Sequence, residues 1–275
     1  MKKHTLLVLF VAFFAFAMIG GCSPTTPLTP TLLPPSPSPT PTGKTIVVTS
    51  IADAGPGTLR QAMEEAQNGD TITFDPAVFP PDEPVTISVI SGLPQITQGN
   101  LTIDASHAGV ILDGSNITDP QHGLTISSDH NIIRGLQITG FSPAGVGLYG
   151  GAQYNIIGGD RNVGEGPMGQ GNLISGNGEY GIGLWDEGTS HNTIQGNYIG
   201  INIDGTATWG NSGGGIHSNG ATQNLIIGNV IGGNGNPGVY LCCVVDGRNV
   251  VTENLIGVGP SGTPLGNGLA GILID

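Results

Sequence analysis

The residues best placed for acid–base chemistry are Asp160, Glu165, Asp186, Glu187, Asp204, Asp246 and Glu253, with Arg134, Arg161 and Arg248 as the cations. A hydrolase acting on glycosides needs two carboxylates facing one bond. A lyase needs a base beside a sugar carbon and positive charge beside its carboxylate. Asp160-Arg161 and Asp246-Gly247-Arg248 place both signs within one turn, where they could approach a groove. Asp186-Glu187 is an adjacent acidic pair after a predicted strand. It could bind calcium if backbone oxygens completed the shell. For each of these groups a solvated turn charge is the simpler account.

The histidines and thiols offer little more. His217 follows three glycines and Ile216, precedes Ser218, and has no acid beside it, which reads as a surface or stacked imidazole. His107, His122, His130 and His191 fall at predicted turns. No HExxH, serine nucleophile elbow or phosphate loop with lysine occurs, and no lysine follows Lys44. Cys242 and Cys243 are adjacent, so on a strand they would point to opposite faces, one buried and one exposed. A disulfide between them would need distorted geometry, and further metal ligands at a recognisable spacing are missing. Trp185, Trp209, Tyr149, Tyr154, Tyr180, Tyr198 and Tyr240 are candidate sugar-stacking rings. Trp209 stands out because it lies in an inserted loop, although loop aromatics usually pack the loop down.

The elements that must position these residues are short. Thr45 to Thr49 is β-branched and reads as a strand. Thr58 caps a predicted helix from Leu59 to Gln67, whose apolar face is Leu59, Ala62, Met63 and Ala66; Gly69 ends it and Thr71 to Phe74 starts the next strand. After residue 84 come brief apolar runs bounded by Gly, Asn and Asp, such as Val85-Thr86-Ile87, Val110-Ile111-Leu112 and Leu124-Thr125-Ile126. Runs this short cannot be helices.

These runs repeat. NTIQGNYIG from 192, NLIIGNVIG from 224 and NVVTENLIG from 249 align Asn192, Asn224 and Asn249, and then Asn197, Asn229 and Asn254. Asn131 and Asn155 begin weaker copies, and each copy follows a second element: GLTI, GVGL, GIGL, GGIHS or GVYL. Starts lie 24, 37, 32 and 25 residues apart, which fits coils of about two dozen residues with inserted loops. Residues 201 to 213 and 258 to 268 are corresponding excursions, closed by Asn211 and Asn267. Aligned asparagines can form an internal ladder in which each amide satisfies the next.

The pattern resembles the GNxIGxxxxGxxxxGN repeat of extracellular right-handed parallel β-helices, the pectate-lyase-like fold, over residues 45 to 275. Thr58-Leu59-Arg60-Gln61-Ala62 and Gly69-Asp70-Thr71-Ile72 resemble the LREA-type capping module that precedes such helices; Gly57-Thr58 stands where that module often has Cys-Ser. The resemblance implies an all-β right-handed parallel β-helix with a short N-terminal capping helix: a cap at 44–84 and coils over 85–275. Pectin hydrolases of this fold carry clustered aspartates, Gly-His-Gly and Arg-x-Lys, and none of these is present. A propeller would need more aromatics. A calcium-binding roll would need close GGxGxDxxx copies, which Gly158-Gly159-Asp160 and Gly232-Gly233-Asn234 only approach. The last residues, GNGLAGILID, open another coil without a polar cap, which predicts missing coils or a partner at that end.

The N-terminus sets the address. Lys2 and Lys3 precede an apolar run from Leu6 to Ile19, the length of a signal core and short for a membrane span. Ile19-Gly20-Gly21-Cys22 resembles a lipobox, which implies a leader over 1–21, lipidation of Cys22 and attachment to a bacterial envelope membrane, facing outside the cytoplasm; plain secretion is the alternative. Residues 22–43 carry eight prolines among Ser and Thr, an extended spacer reaching roughly 60 Å. The formal net charge is −13, more negative still once Lys2 and Lys3 are removed, and no basic run exists, so nucleic acid is excluded as a partner. The expectation is a cell-surface structural, adhesive or glycan-binding module with no predicted cofactor other than an optional calcium. A polysaccharide lyase, epimerase or hydrolase is the alternative.

Overall fold

A computed structural model describes residues 43–243 and 248–275. The leader, Cys22, nearly all of the proline-rich spacer, and Asp246 lie outside the described residues.

The chain is a right-handed parallel β-helix of three sheets, each strand pairing in parallel with its counterpart one coil away. The first sheet comprises Thr45–Val48, Thr71–Phe74, Thr102–Asp104, Ile132–Arg134, Ile156–Gly158, Thr193–Gln195, Leu225–Ile227 and Val250–Thr252. The second comprises Val85–Ser88, Val110–Asp113, Leu136–Thr139, Leu173–Ile174, Tyr198–Ile199, Val230–Ile231 and Leu255–Ile256. The third comprises Leu124–Ile126, Ala144–Leu148, Tyr180–Trp185, Ile216–Asn219, Val239–Cys242 and Ile272–Ile274.

Register turns this arrangement into columns. Ile46, Ile72, Ile103, Ile133, Ile157, Ile194, Ile226 and Val251 succeed one another in the first sheet. Ile87, Leu112, Ile138, Ile174, Ile199, Ile231 and Ile256 do so in the second. Most of these side chains are fully buried in one continuous core. Each contributes about 1.5–3 kcal/mol by leaving water. Because the rung spacing is about 4.8 Å, β-branched and γ-branched chains stack with few gaps.

The corners are held by asparagines. Asn131, Asn155, Asn192, Asn224 and Asn249 form one ladder: from Asn155 onward each Oδ1 accepts both the backbone N–H and the Nδ2–H of the preceding asparagine, at 2.8–3.2 Å. Asn172, Asn197, Asn229 and Asn254 form a second ladder. Asn177, Asn211, Asn234 and Asn267 form a third. At every rung except that of Asn155 the remaining amide hydrogen reaches a backbone carbonyl, as from Asn192 Nδ2 to Ala152 O at 2.9 Å. These buried amides are therefore satisfied rather than costly. The third ladder crowds the start of the third sheet: a Cβ on Gly181 or Gly215 would sit 2.9–3.0 Å from the amide of Asn211 or Asn234.

The helix spans Leu59–Glu65, with Thr58 Oγ1 accepting from Gln61 N, and it buries Leu59, Ala62 and Met63 against the end of the core. It stops earlier than the predicted Gln67. Ala66 is already extended at ψ 137°, and Asp70 Oδ2 accepts the Gln67 N–H at 2.8 Å, which draws the chain out of the helix. Gly69 takes the following turn at φ +88°. The excursions at 201–213 and 258–268 both leave after the second sheet and return before the third. Ile201 and Leu265 from these loops pack on Val230 and Tyr198 as a second small core.

Candidate functional site

Two outward columns run along the third sheet. One is Thr125, Gly147, Gly183, His217, Tyr240 and Leu273. The other continues from Trp185 through Asn219 to Cys242, with Tyr149 one residue beyond Leu148 on the preceding rung. The glycines make room for the rings: a Cβ on Gly183 would lie 1.6 Å from the Trp185 indole, and one on Gly147 would lie 2.7 Å from the Tyr149 ring. Both rings therefore fold back over a bare backbone. They lie parallel, 4.5 Å apart and 7° from coplanar orientation.

His122 and Tyr180 extend this strip. The Tyr149 hydroxyl bonds His122 Nε2, and the His122 ring lies 5.4 Å from Trp185. Burial lowers the His122 pKa, with the Ala144 backbone working the other way. Burial, reinforced by Asp186 and Glu179, pushes the Tyr149 phenol up. Around neutrality the pair is thus a protonated phenol beside a neutral imidazole.

His217 is wedged between Tyr180 at 4.4 Å and Tyr240 at 5.2 Å, with only 7% of its surface exposed. Its Nε2 lies 3.5 Å from Cys242 Sγ, while Nδ1 is buried without a hydrogen-bond partner. Burial lowers the His217 pKa, and burial pushes the Cys242 thiol up to about 11, with Cys243 adding to the shift. Tyr240 donates to Asp275 at 2.8 Å, which pushes its phenol up to about 12. Cys242 is buried and Cys243 exposed, as expected. The burial is on the outer face, however, beneath His217, and Cys243 stands at φ +60°. Thiol and imidazole are the donor types that soft cations prefer. Among the described residues no group of three His, Cys, Asp or Glu side chains is poised around one point.

The acids and arginines singled out from sequence do not converge. Asp186, at φ +76°, accepts from Gly150 N at 2.9 Å, and Glu187 is exposed beside it. Asp160 closes a local turn through Asn162 N. Glu165, Asp204, Glu253 and Arg248 are exposed on separate turns. Arg134 pairs with Asp104 at 2.7 Å on the first sheet. Arg161 does line a groove, with Asp160, Gln170 and Gln195. There its guanidinium caps Gly196 O at 2.9 Å and Gly228 O at 3.3 Å and covers the Tyr198 ring at 4.7 Å. That is the work of a corner clamp. Trp209 is 45% exposed, but its backbone is tied to Gly200 and Gly176 and its indole lies against Gly176, so the loop is packed on its coil.

A further stack was not anticipated. His130, Tyr154 and His191 each precede a ladder asparagine, all at positive φ, and their rings follow one another at 5.1 and 4.9 Å along an exposed corner. Their common place one residue before Asn131, Asn155 and Asn192 was the available signal.

The family described as periplasmic copper-binding protein (NosD) matches residues 95–257. No curated protein matches the chain. Among solved structures, the chain is similar to pectate lyase Pel9A at 14% identity and a TM-score of 0.44, over 81% of this chain and 60% of that one. It is similar to the periplasmic alginate epimerase AlgG at 17% identity and a TM-score of 0.38, over 82% of this chain and 55% of that one. For the Dettilon tailspike protein (gp208) the values are 14% and 0.29, over 80% of this chain and 57% of that one. The chain thus spans about 60% or less of the length of each of these proteins.

Proposed function

The chain belongs to the NosD family, and from that membership we propose that it is an envelope β-helix working outside the cytoplasm as a glycan-binding module. The observation that carries this reading is the pair of parallel rings, Tyr149 and Trp185, laid over Gly147 and Gly183 on the third sheet. The two stacked rings over bare glycines form an aromatic strip against which a sugar can pack, and Tyr180 and His122 widen it. Asp186 and Glu179 stand close enough to raise the Tyr149 pKa. With a formal net charge of −13 around them, the rings suit a neutral polysaccharide better than an acidic one. An acidic chain would need calcium to bridge the repulsion.

The leader, lipidated Cys22 and proline-rich spacer belong to the same proposal. They would hold the cap at 44–84 and the coils beyond it at a distance from a membrane. Labelling with a fatty acid tests the anchor: incorporation is expected in the native chain and lost in Cys22→Ser.

The binding test is retention of the full chain on neutral and acidic polysaccharides, with and without calcium, with product formation read in the same samples. Retention on a neutral glycan that Trp185→Ala weakens by roughly two- to twelvefold supports the reading, as one lost stacking contact is worth about 0.5–1.5 kcal/mol. Equal retention of native and Trp185→Ala chains removes it. A second reading, a polysaccharide-cleaving or epimerising enzyme, is favoured by one observation: Tyr149 and His122 are an acid and a base already in contact. New reducing or unsaturated ends, lost in His122→Gln, would move the assignment there.

The family description also names copper. The donors here that suit it are Cys242 Sγ and His217 Nε2, and together they fit two positions of a soft-ion site.

A further inference from the structure

The groove beside Arg161 contains a charge that the fold leaves unanswered. Its volume is about 430 Å³, within the range of small-ligand sites, and Arg161, Asn162, Gln170 and Gln195 line it. The loop that carries most of this wall is tied down: Val163 N and Gln170 N donate to Asp160 O, and Gly166 N reaches Ser106 O at 2.7 Å. Gln170 lies against Gly159, where a Cβ would meet its side chain at 2.6 Å. Gln195 is an outward residue of the first sheet and has Gly158 opposite it on the preceding rung, so no side chain covers it from there. Arg161 clamps the corner with one nitrogen only. Its bonds to Gly196 O and Gly228 O both come from Nη1, and the Tyr198 ring backs the guanidinium. Nε and Nη2 donate to no group among the described residues, and neither is buried without a partner, so both reach solvent at the groove. The described ion pairs are Arg60 with Asp53 and Arg134 with Asp104. Arg161 has no such partner among the described residues, although Asp160 precedes it and the chain holds 20 acids to 7 cations. Asp160 turns instead to Asn162, whose N and Nδ2 both bond its Oδ1 at 2.9 Å.

We propose that this groove binds a carboxylate flanked by hydroxyls, the chemistry shared by a uronic acid and a free hydroxy acid. The Nε and Nη2 edge of a guanidinium presents two parallel N–H groups that match a carboxylate. The side-chain amides of Gln170 and Gln195 bond no other group among the described residues, and an amide both donates and accepts, as hydroxyls require. Charge selects a carboxylate over a phosphate: Asp160 at the rim and a formal net charge of −13 oppose a doubly charged anion more than a singly charged one. The site lies away from the third sheet and does not depend on the rings of Tyr149 and Trp185.

The test titrates the full chain with glucuronate, lactate, acetate, glucose and inorganic phosphate, read by calorimetry. Glucuronate or lactate should bind, acetate more weakly, and glucose and phosphate most weakly. Whichever of the first two binds more tightly names the source of the carboxylate. Arg161→Lys keeps the charge and loses the fork, and should weaken binding at least about tenfold, the loss of one hydrogen bond to a charged group. Gln195→Ala leaves the clamp intact and should weaken binding roughly two- to tenfold, the loss of one neutral hydrogen bond. Absence of binding by both acids, tighter binding of phosphate or glucose than of either, or unchanged affinity in Arg161→Lys would overturn the proposal and leave Arg161 as a clamp alone. Should Arg161→Lys fail to fold, Gln195→Ala decides in its place, and unchanged affinity there overturns the proposal.

Discussion

The outer faces of the first and third sheets share one interior and differ in almost everything else. On the first sheet the outward columns read Thr45, Thr71, Thr102, Ile132, Ile156, Thr193, Leu225 and Val250, and further along Asp104 and Arg134. These are residues that suit any pleated surface, with one ion pair between rungs. On the third sheet the same positions hold glycines, two parallel rings, a buried histidine and a thiol. The first face repeats and the third does not. A coil gains stability from whatever stacks on itself, so repetition marks what the fold requires. Departure from repetition marks positions the fold leaves free, and there the chemistry has collected.

The largest effect should come from the interior both faces depend on. Asn192 has no exposed surface and gives its amide hydrogens to Asn224 Oδ1 and Ala152 O. Asn192→Asp would turn that donor into a buried acceptor facing two oxygens. We expect a loss of about 3–5 kcal/mol, the cost of an uncompensated buried charge, read as a shifted midpoint in chemical denaturation. An unshifted midpoint would mean that the ladders can rearrange and are not what holds the corners.

A smaller effect should separate the two faces directly. Gly183→Ala places a methyl where the Trp185 indole now lies, and should cost about 1–3 kcal/mol as the ring is forced off the sheet. Tryptophan fluorescence should shift with it. Thr193→Ala, at an outward position of the first sheet, should stay within about 0.5 kcal/mol. If the two substitutions cost the same, the glycines of the third sheet are ordinary strand residues that tolerate a side chain, and the ring platform loses its support.

How far the sequence revealed this follows from the same contrast. Two ladders were legible because Asn192, Asn224 and Asn249, and Asn197, Asn229 and Asn254, recur at one place in aligned strings. The third was legible only at Asn211 and Asn267, since loops of unequal length separate Asn177, Asn211 and Asn234. The helix face was visible from Leu59, Ala62 and Met63, but its end was set by Asp70, which no local pattern reports. Tyr149, Trp185, Tyr180 and Tyr240 were legible singly as candidate sugar-stacking rings, but their alignment in one strip on the third sheet went unseen because each member occurs once. GVGLY, GIGLW, GIHSN and GVYLC, set in register, bring Tyr149, Trp185, Asn219 and Cys242 into one column, and the cue was the repeated glycine start. Composition also offered the acids and arginines, and among the described residues the structure scatters these over separate turns or, for Arg134 and Arg161, uses them to hold neighbouring rungs.

The smallest effect is the pH dependence, and it should divide the faces by window. On the third sheet burial lowers the pKa of His122 and His217 below the ordinary 6.5. The unfolded chain therefore takes up protons that the folded chain refuses, and stability is lost as pH falls from about 6.5 through the lowered values. On the first sheet burial would raise the Asp104 pKa, but hydrogen bonds from Arg134 and Ser106 outweigh it and hold the carboxyl below 3.8. Its contribution is present above that value and lost only in stronger acid. Denaturation midpoints between pH 7.5 and 5 should therefore drop in the native chain and drop less in His217→Gln, while Asp104→Asn leaves the slope in that range unchanged. A slope that follows Asp104 rather than His217 would reverse the assignment, making the first face the titrating one and the buried imidazole a bystander.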